Sequence, residues 1–199
     1  MYEYIEGKLT SVTPAFAIIE ASGFGYYINI SLNTYSQIAE YQKSNPVGAL
    51  KLFLHLVVRE DAHLFFGFFT DKEREIFRLL ITVSGIGANT ARMMLSSLNP
   101  MELQKAIAEG NVTVLQGIKG IGLKTAQRVI VDLKDKIKVE SFANEKFFMV
   151  NNTIKDEALS ALVTLGFTKS VVEKMLDKLL SVKSEMTVEE LIKLTLKNV

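Results

Sequence analysis

The sequence contains no cysteine and only two histidines, His55 and His63. The lack of cysteine excludes a disulfide framework and any thiolate metal site. Both histidines fall in one strand-like stretch, and no cluster of other metal-ligating residues stands near them. We therefore expect neither a bound metal nor a cofactor.

Long apolar runs and a secretory leader are lacking as well. No stretch approaches the roughly 20 apolar residues that span a membrane, and residues 1–6 lack the basic and apolar regions of a signal peptide. We expect a cytoplasmic protein without a membrane partner. An apolar share of 48% is enough for packed cores, and 199 residues allow one large domain or two to three small ones.

The net positive charge is small, and it is unevenly distributed along the chain. The formal net charge is +1; residues 1–62 carry four basic and six acidic side chains, residues 63–140 carry eleven and eight, and residues 154–199 carry seven of each. Because the central excess is modest, binding to nucleic acid would have to use backbone N–H donors as well as lysine and arginine.

The most informative feature that is present is an internal duplication. Residues 80–98 reappear imperfectly as residues 115–133, with seven identities in 19 positions. Both copies contain Gly-Ile-Gly and, after two further residues, Thr-Ala; both stand between apolar residues spaced for helices. The pattern predicts two tight connections between helices, as in a pair of helix-hairpin-helix motifs.

Such a connection can bind an anion. The glycines allow close approach of the backbone, and the following helix exposes its first N–H groups and the positive end of its dipole. Two such sites suit the regularly spaced phosphates of DNA, and a Cβ at Gly122 is expected to strain the turn and block the approach. The candidate DNA-binding residues are Gly85, Gly87, Asn89, Thr90 and Arg92 in the first copy, and Lys119, Gly120, Gly122, Lys124, Thr125 and Arg128 in the second.

Two nucleotide-binding motifs are excluded at these glycines. In a P-loop, Gly117 and Gly122 would have the right separation, but Leu123 stands where lysine is required. In a dinucleotide fingerprint, Thr90 and Thr125 occupy the place of the third glycine, and no strand precedes either motif. We expect no nucleotide hydrolysis and predict no catalytic residue.

Residues 1–67 have the pattern of β-strands. Tyr26, Ile28 and Ile30 alternate with more polar neighbours, as in a half-buried strand. Five strands and one short helix near residues 34–40 predict a small Greek-key barrel of the OB type. An SH3-like barrel is the alternative.

Residues 68–140 are predicted to be helical, with Asp71, Asn99 and Asn111 as N-caps. Residues 141–153 break the pattern and are predicted to form a linker. Residues 154–199 predict a bundle of three helices, the first starting near Asp156. Its first helix is expected to end at Gly166, and its last to begin with a capping box formed by Thr187 and Glu190. The chain is therefore an α+β multidomain protein by prediction.

This order of barrel, paired hairpins, linker and three-helix tail resembles the RuvA family, the Holliday-junction-binding subunits of the bacterial branch-migration complex. The resemblance covers the whole chain, and its most specific stretches are residues 57–62, residues 120–126 with Arg128, and residues 161–167. It implies a UBA-like C-terminal bundle and a homotetramer or octamer that holds a four-way DNA junction open in a square plane. It also implies a role in recombination and repair, with the RuvB ring ATPase as partner and motor and the RuvC junction resolvase as a further partner.

The resemblance assigns roles to two more groups of residues. Arg59, Glu60 and Asp61 correspond to the family's acidic pin; four pins would meet at the junction centre, where their charges repel one another and the phosphates. Arg59 either meets a phosphate or pairs with Glu60. The residues expected to bind the partner ATPase are Leu162, Leu165, Gly166, Phe167, Val171 and Met175.

The hairpins depart from the family pattern. The family commonly has proline and lysine at residues 88–89, where alanine and asparagine stand here, and a second lysine where Leu123 stands. Either Arg92, Lys119 and Arg128 compensate for the two missing cations, or the protein binds its junction less tightly and with a shallower salt dependence.

Three other functions remain as alternatives. A helix-hairpin-helix glycosylase or nuclease component would need a catalytic aspartate, for which Asp132 and Asp135 are the candidates, although surface pairing on a lysine-rich helix explains them as well. A pure interaction scaffold is disfavoured by the duplicated hairpins. An OB-type single-strand-binding protein would stack bases on barrel aromatics; the candidates are Tyr26, Tyr27, Phe53 and Phe65.

Overall fold

The computed structural model describes residues 2–46, 48–137, 149–182 and 186–198. The chain divides into two compact units, Met1–Val139 and Glu140–Val199. None of the helices described combines the length and the apolar character needed to cross a membrane.

The first unit begins with a closed five-stranded barrel. Its strands are β1 (Tyr4–Val12), β2 (Phe16–Ala21), β3 (Phe24–Ile30), β4 (Leu50–Val58) and β5 (His63–Phe68). They close in the order β1-β2-β3-β5-β4, with β3 and β5 parallel and the other pairs antiparallel. A helix between β3 and β4 together with this order is the OB arrangement, so the OB-type prediction is confirmed and the SH3-like alternative is wrong.

That helix, α1 (Leu32–Ser44), is longer than the predicted residues 34–40. Ser31 caps it, because its side chain accepts a hydrogen bond of 2.9 Å from the Thr34 N–H. The inward face of the barrel agrees with the predicted alternation, since Ile28 and Ile30 are buried in its core.

The part of the first unit described after the barrel, up to residue 137, forms five helices: α2 (Asp71–Leu80), α3 (Ala88–Ser97), α4 (Pro100–Ala108), α5 (Val112–Gln116) and α6 (Leu123–Leu133). Their core is continuous with the outer face of β5, where the Phe77 ring lies 5.2 Å from Phe66 and 4.9 Å from Phe68. The barrel and the hairpins therefore share one packed interface.

The N-caps of these helices were predicted with one error. Asn99 forms a full capping box with Glu102, and Asn111 accepts from the Val114 N–H, as expected. The cap of α2 is Thr70 and not Asp71. Asp71 is the first residue of the helix, where its negative charge interacts favourably with the positive end of the helix dipole. Its carboxylate also forms an ion pair with Arg74.

Two buried charged residues at the start of α2 connect the helices to the barrel. The Glu73 carboxylate accepts hydrogen bonds from the hydroxyls of Ser31 and Thr34 at the start of α1. Burial raises the pKa of Glu73. Arg74 is only 2% exposed; it donates to the backbone oxygen of Glu3 at 2.7 Å and forms ion pairs with Glu3 and Asp71.

Replacing Arg74 with alanine should lower the free energy of unfolding by about 2 kcal/mol or more. The loss comes from the partly buried backbone oxygen of Glu3 and the buried backbone oxygen of Leu54, which lose their donor. The ion pairs with the two exposed carboxylates contribute little. Urea denaturation of both proteins measures the change in the free energy of unfolding. Lys43→Ala, which removes an exposed pair with Glu40, should change stability by less than about 0.5 kcal/mol, and equal effects of the two substitutions would contradict the assignment.

The described residues of the second unit form three helices, α7 (Met149–Thr164), α8 (Lys169–Val182) and α9 (Val188–Asn198). Gly166 has φ 98° after the end of α7, as expected of a helix-ending glycine. The predicted capping box is also confirmed, because Thr187 and Glu190 exchange two hydrogen bonds of 3.2 Å.

The start of α7 differs from the prediction. Residues 149–153, assigned to the linker, are helical, and the helix begins seven residues before Asp156. Asn151 and Asn152 have low helix propensity, and the apolar packing of the following turns overrides it. The rest of the predicted linker, residues 141–148, lies outside the described residues.

Candidate nucleic-acid interface

The two Gly-Ile-Gly segments adopt the same backbone conformation. The first connects α2 to α3, and the second connects α5 to α6. Gly85 has φ 92° and Gly120 has φ 91°, values that favour glycine because a Cβ would clash with the backbone. The isoleucine between the glycines is buried in the helical core in both copies, so the duplicated sequence produces a duplicated structure.

The last glycine of each segment is the N-cap of the following helix. Gly87 has φ −85° and ψ 169°, and Gly122 has φ −82° and ψ 170°; neither has a side-chain cap. The first helical hydrogen bonds run from Ala91 to Gly87 and from Ala126 to Gly122, both at 2.9 Å. The N–H groups of residues 88–90 and 123–125 precede these bonds, so each helix presents three donors to an anion.

Space for that anion is present at both caps. A Cβ built on Gly87 or Gly122 meets no atom within 4 Å. The expectation that a Cβ at Gly122 strains the turn is wrong, because its φ is negative; the strained position would be Gly120, with positive φ. What a side chain at Gly122 would do is occupy the space in front of the donors.

The predicted side chains divide into free and engaged groups. Asn89, Lys119 and Lys124 are exposed, and Thr90 and Thr125 are half-buried. None of these five side chains has a hydrogen bond or ion pair among the described residues. They are available to phosphates beside the backbone donors.

Both candidate arginines are engaged with other parts of the unit. Arg92 donates from Nη1 to the Ala15 oxygen at 3.1 Å and to Asn29 Oδ1 at 3.3 Å, on the barrel. Arg128, on α6, donates to the Ser84 oxygen at 3.3 Å, beside the other hairpin. Of the three side chains predicted to compensate for the missing lysines, Lys119 alone has no hydrogen bond or ion pair among the described residues.

The predicted pin is the tip of the β4–β5 hairpin. Arg59, Glu60 and Asp61 are all exposed, and the turn is closed by a backbone hydrogen bond of 2.9 Å from Arg59 to Ala62. In the described part of the chain, neither carboxylate forms an ion pair, so Arg59 does not pair with Glu60. Two negative charges thus project from the tip.

The candidate partner-binding residues in the second unit are partly core and partly surface. Leu162 is fully buried, so it supports the bundle and cannot contact a partner directly. Phe167 is half-buried and packs against the bundle core. Leu165 and Val171 are 63% and 52% exposed. Val163, which was not among the predicted partner-binding residues, is also exposed; its position beside Leu162, a predicted core residue, was the signal in the sequence.

The residues on which the alternative functions depend do not form a site. Asp132 and Asp135 are both exposed. Within the described ranges, no group of three histidine, cysteine or acidic side chains could hold a metal ion. Among the barrel aromatics, Tyr27 is exposed and stacks on Phe16 at 4.6 Å, whereas Tyr26, Phe53 and Phe65 are half-buried.

Comparison with known proteins covers both units. The RuvA N-terminal domain family matches residues 1–67, a SAM-like helix-hairpin-helix tandem family matches residues 77–135, and the RuvA C-terminal domain family matches residues 153–199. These ranges coincide with the barrel, the two hairpins and the helical bundle.

Similar proteins match over nearly their full length. One from Christiangramia forsetii is 49% identical over 197 residues, 99% of each chain. Others from Flavobacterium psychrophilum and Bacteroides fragilis are each 46% identical, over 100% and 99% of both chains respectively. All three are named Holliday junction branch migration complex subunit RuvA. The order of domains and this level of identity along the chain show that the protein belongs to the RuvA family.

Proposed function

We propose that the protein is a non-catalytic subunit that binds four-way DNA junctions through its paired hairpins. The observation that carries the proposal is the matched geometry of the two Gly-Ile-Gly segments, each followed by a helix whose first N–H groups are free. Donors of this kind contact phosphates and read no base, so the binding selects DNA structure and not sequence.

The exposed pin supports the selection of a junction over plain duplex. In a homotetramer or octamer, Glu60 and Asp61 of four subunits meet at the centre, hold the crossover open and keep the arms in a square plane. The exposed apolar residues of the second unit support its role in recruiting the RuvB ring ATPase, which drives branch migration in the cytoplasm during recombination and repair. RuvC acts on the same junction as a further partner.

A gel-shift comparison of a four-way junction with linear duplex of equal length tests the proposal. The junction should bind at a lower protein concentration, and competitor duplex should not displace it. Equal affinity for both substrates would refute junction selection. Release of a damaged base from duplex would instead favour the glycosylase alternative.

The pin should determine selectivity more than affinity. Glu60→Gln combined with Asp61→Asn removes two charges per subunit at nearly constant size, and binding to duplex should rise more than binding to the junction. Repulsion on the order of 1 kcal/mol per charge pair corresponds to a change of about fivefold in the affinity ratio. Glu6→Gln with Glu20→Gln, two exposed barrel carboxylates, is the matched control. An unaltered ratio of junction affinity to duplex affinity in the pin variant would show that the pin is a solvated turn with no role in selectivity.

Lys124 should contribute a phosphate contact of ordinary electrostatic strength. It is exposed at the start of α6, so Lys124→Ala should weaken junction binding and reduce the slope of log affinity against log salt by about one unit. Lys105→Ala on α4, also exposed, serves as the control with an unchanged slope. Equal slopes in all three proteins would remove Lys124 from the interface.

A further inference from the structure

The Arg92 side chain joins the first hairpin to the barrel. Its Nη1 atom donates to the Ala15 oxygen at 3.1 Å, in the loop between β1 and β2, and to Asn29 Oδ1 at 3.3 Å, on β3. The side chain is half-buried. The free N–H groups at the start of α3 belong to residues 88–90, so this attachment lies within about one helical turn of the first phosphate site.

A second polar attachment lies one turn further along the same face of α3. The Ser96 hydroxyl accepts a hydrogen bond of 3.0 Å from the Leu32 N–H and donates to the Arg92 backbone oxygen at 2.8 Å. Leu32 is the first residue of α1, so its N–H has no acceptor within that helix. The face of α3 that carries Arg92 and Ser96 is therefore joined to the barrel and to α1.

The barrel residue that accepts from Arg92 also contacts the strand that leads out of the pin. Asn29 Nδ2 donates to the Phe65 oxygen of β5 at 3.1 Å, and β5 begins two residues after Asp61. The amide of Asn29 thus uses its oxygen toward the guanidinium and its nitrogen toward a carbonyl, the arrangement that satisfies both partners. Through this one side chain, α3 is connected to the strand that follows the pin.

The second hairpin lacks such an attachment, although its backbone conformation is the same. The alignment of the two copies places Gln127 and Val131 at the positions of Arg92 and Ser96. Both residues are exposed, and in the described part of the chain the Gln127 side chain forms no hydrogen bond. An anion site needs only the glycine turn and the helix start, which both copies have. The attachment of the first copy is therefore not required to form the site itself.

We infer that Arg92 is a positioning residue, which sets the first phosphate site at a fixed distance from the acidic pin and so determines the preference for junctions over duplex. The inference rests on the proposed function, and it replaces the direct phosphate contact that the sequence predicted for Arg92. A junction has to fit the hairpins and the pin at once, whereas a duplex can bind to the hairpins alone. Release of the first hairpin from the barrel therefore weakens junction binding more than duplex binding.

Removal of the Arg92 donors in the full-length protein tests the inference. Arg92→Met keeps the length of the side chain, and the ratio of junction affinity to duplex affinity should fall by about threefold or more, because a hydrogen bond from a charged donor is lost. The slope of log affinity against log salt should stay at the wild-type value, because no phosphate contact is removed. Gln127→Met, at the equivalent position of α6, is the matched control and should leave both quantities unchanged. Fluorescence anisotropy at several salt concentrations measures them.

Asn29→Ala breaks the same connection from the barrel side and alters no charge. It should lower the affinity ratio by a smaller factor, since Arg92 keeps the Ala15 oxygen as acceptor. The double variant should lower the ratio by little more than Arg92→Met alone, because both substitutions act on one connection. A general loss of stability would not give this dependence of one substitution on the other. Urea denaturation confirms that each variant is folded.

The inference is overturned if Arg92→Met retains the wild-type affinity ratio, or if the two substitutions act independently in the double variant. A salt slope that falls by about one unit in Arg92→Met would make Arg92 a direct phosphate contact, which also overturns it. If Arg92→Met does not fold, Asn29→Ala decides. A wild-type chain without junction preference refutes the proposed function and this inference with it, whereas a wild-type preference that both variants retain refutes the inference alone.

Discussion

Junction affinity should fall by at least about tenfold when Gly122 is replaced by valine. The φ of −82° at Gly122 is accessible to any residue, and no atom lies within 4 Å of the added Cβ, so the fold should tolerate the change. The side chain would stand in front of the N–H groups of residues 123–125. Each hydrogen bond between these groups and a charged phosphate contributes about 1.5–3 kcal/mol, and loss of one bond per subunit already gives this effect.

A matched control substitution shows whether the loss of affinity comes from obstruction of the N–H groups or from any glycine-to-valine change in the first unit. Gly25→Val changes an exposed glycine of β3 that also has negative φ and ordinary space around its Cβ. It should leave junction affinity unchanged in the same titration by fluorescence anisotropy. Gly120→Ala should differ from both, because the positive φ at Gly120 makes the substitution destabilising as well as weakening. Undiminished binding by Gly122→Val would contradict the hairpin assignment.

Stimulation of the partner ATPase should be lost when the chain ends at residue 139. The first unit is compact by itself and contains the barrel and both hairpins. The shortened protein should therefore still assemble and bind junctions with nearly wild-type affinity. ATP-driven branch migration by RuvB on a four-way junction measures the loss, and unaffected migration would refute the recruiting role.

Point substitutions in the full chain localise that role. Leu165→Ser with Val171→Ser changes two exposed apolar residues of the second unit, so the bundle core is retained and most of the stimulation should be lost. Val131→Ser, at a residue of α6 that is 78% exposed, is the matched control in the first unit. Equal stimulation by all three proteins would place the contact on other residues of the bundle.

The parts of the fold that were predicted correctly depend on short-range interactions. The Gly-Ile-Gly turns, the caps at Asn99 and Asn111 and the capping box at Thr187 each involve residues no more than three or four positions apart. Backbone geometry and hydrogen bonding at such distances follow from residue type alone. The free N–H groups at the starts of α3 and α6 also result from such local backbone geometry, so the sequence was sufficient to predict them.

The interactions that were not predicted connect distant parts of the chain. Arg74 binds Glu3, 71 residues away, and Glu73 binds Ser31, 42 residues away. Helical periodicity places charged residues on the solvent side, and only the packing of α2 against the barrel reverses that for these two. The hydrogen bond of Arg92 with Asn29, 63 residues away, depends in the same way on the packing of α3 against the barrel.

The uncapped glycines at residues 87 and 122 have a consequence for regulation. Their donors are backbone amides, which carry no ionisable proton in the physiological range and no site for acylation. A protein that held DNA mainly by lysine could be released by acetylation, but among the predicted DNA-binding residues that modification would reach only Lys119 and Lys124. We therefore expect acetylation to weaken the binding of phosphate without abolishing it, so that regulated release of DNA would act through disassembly of the subunits or through the motor.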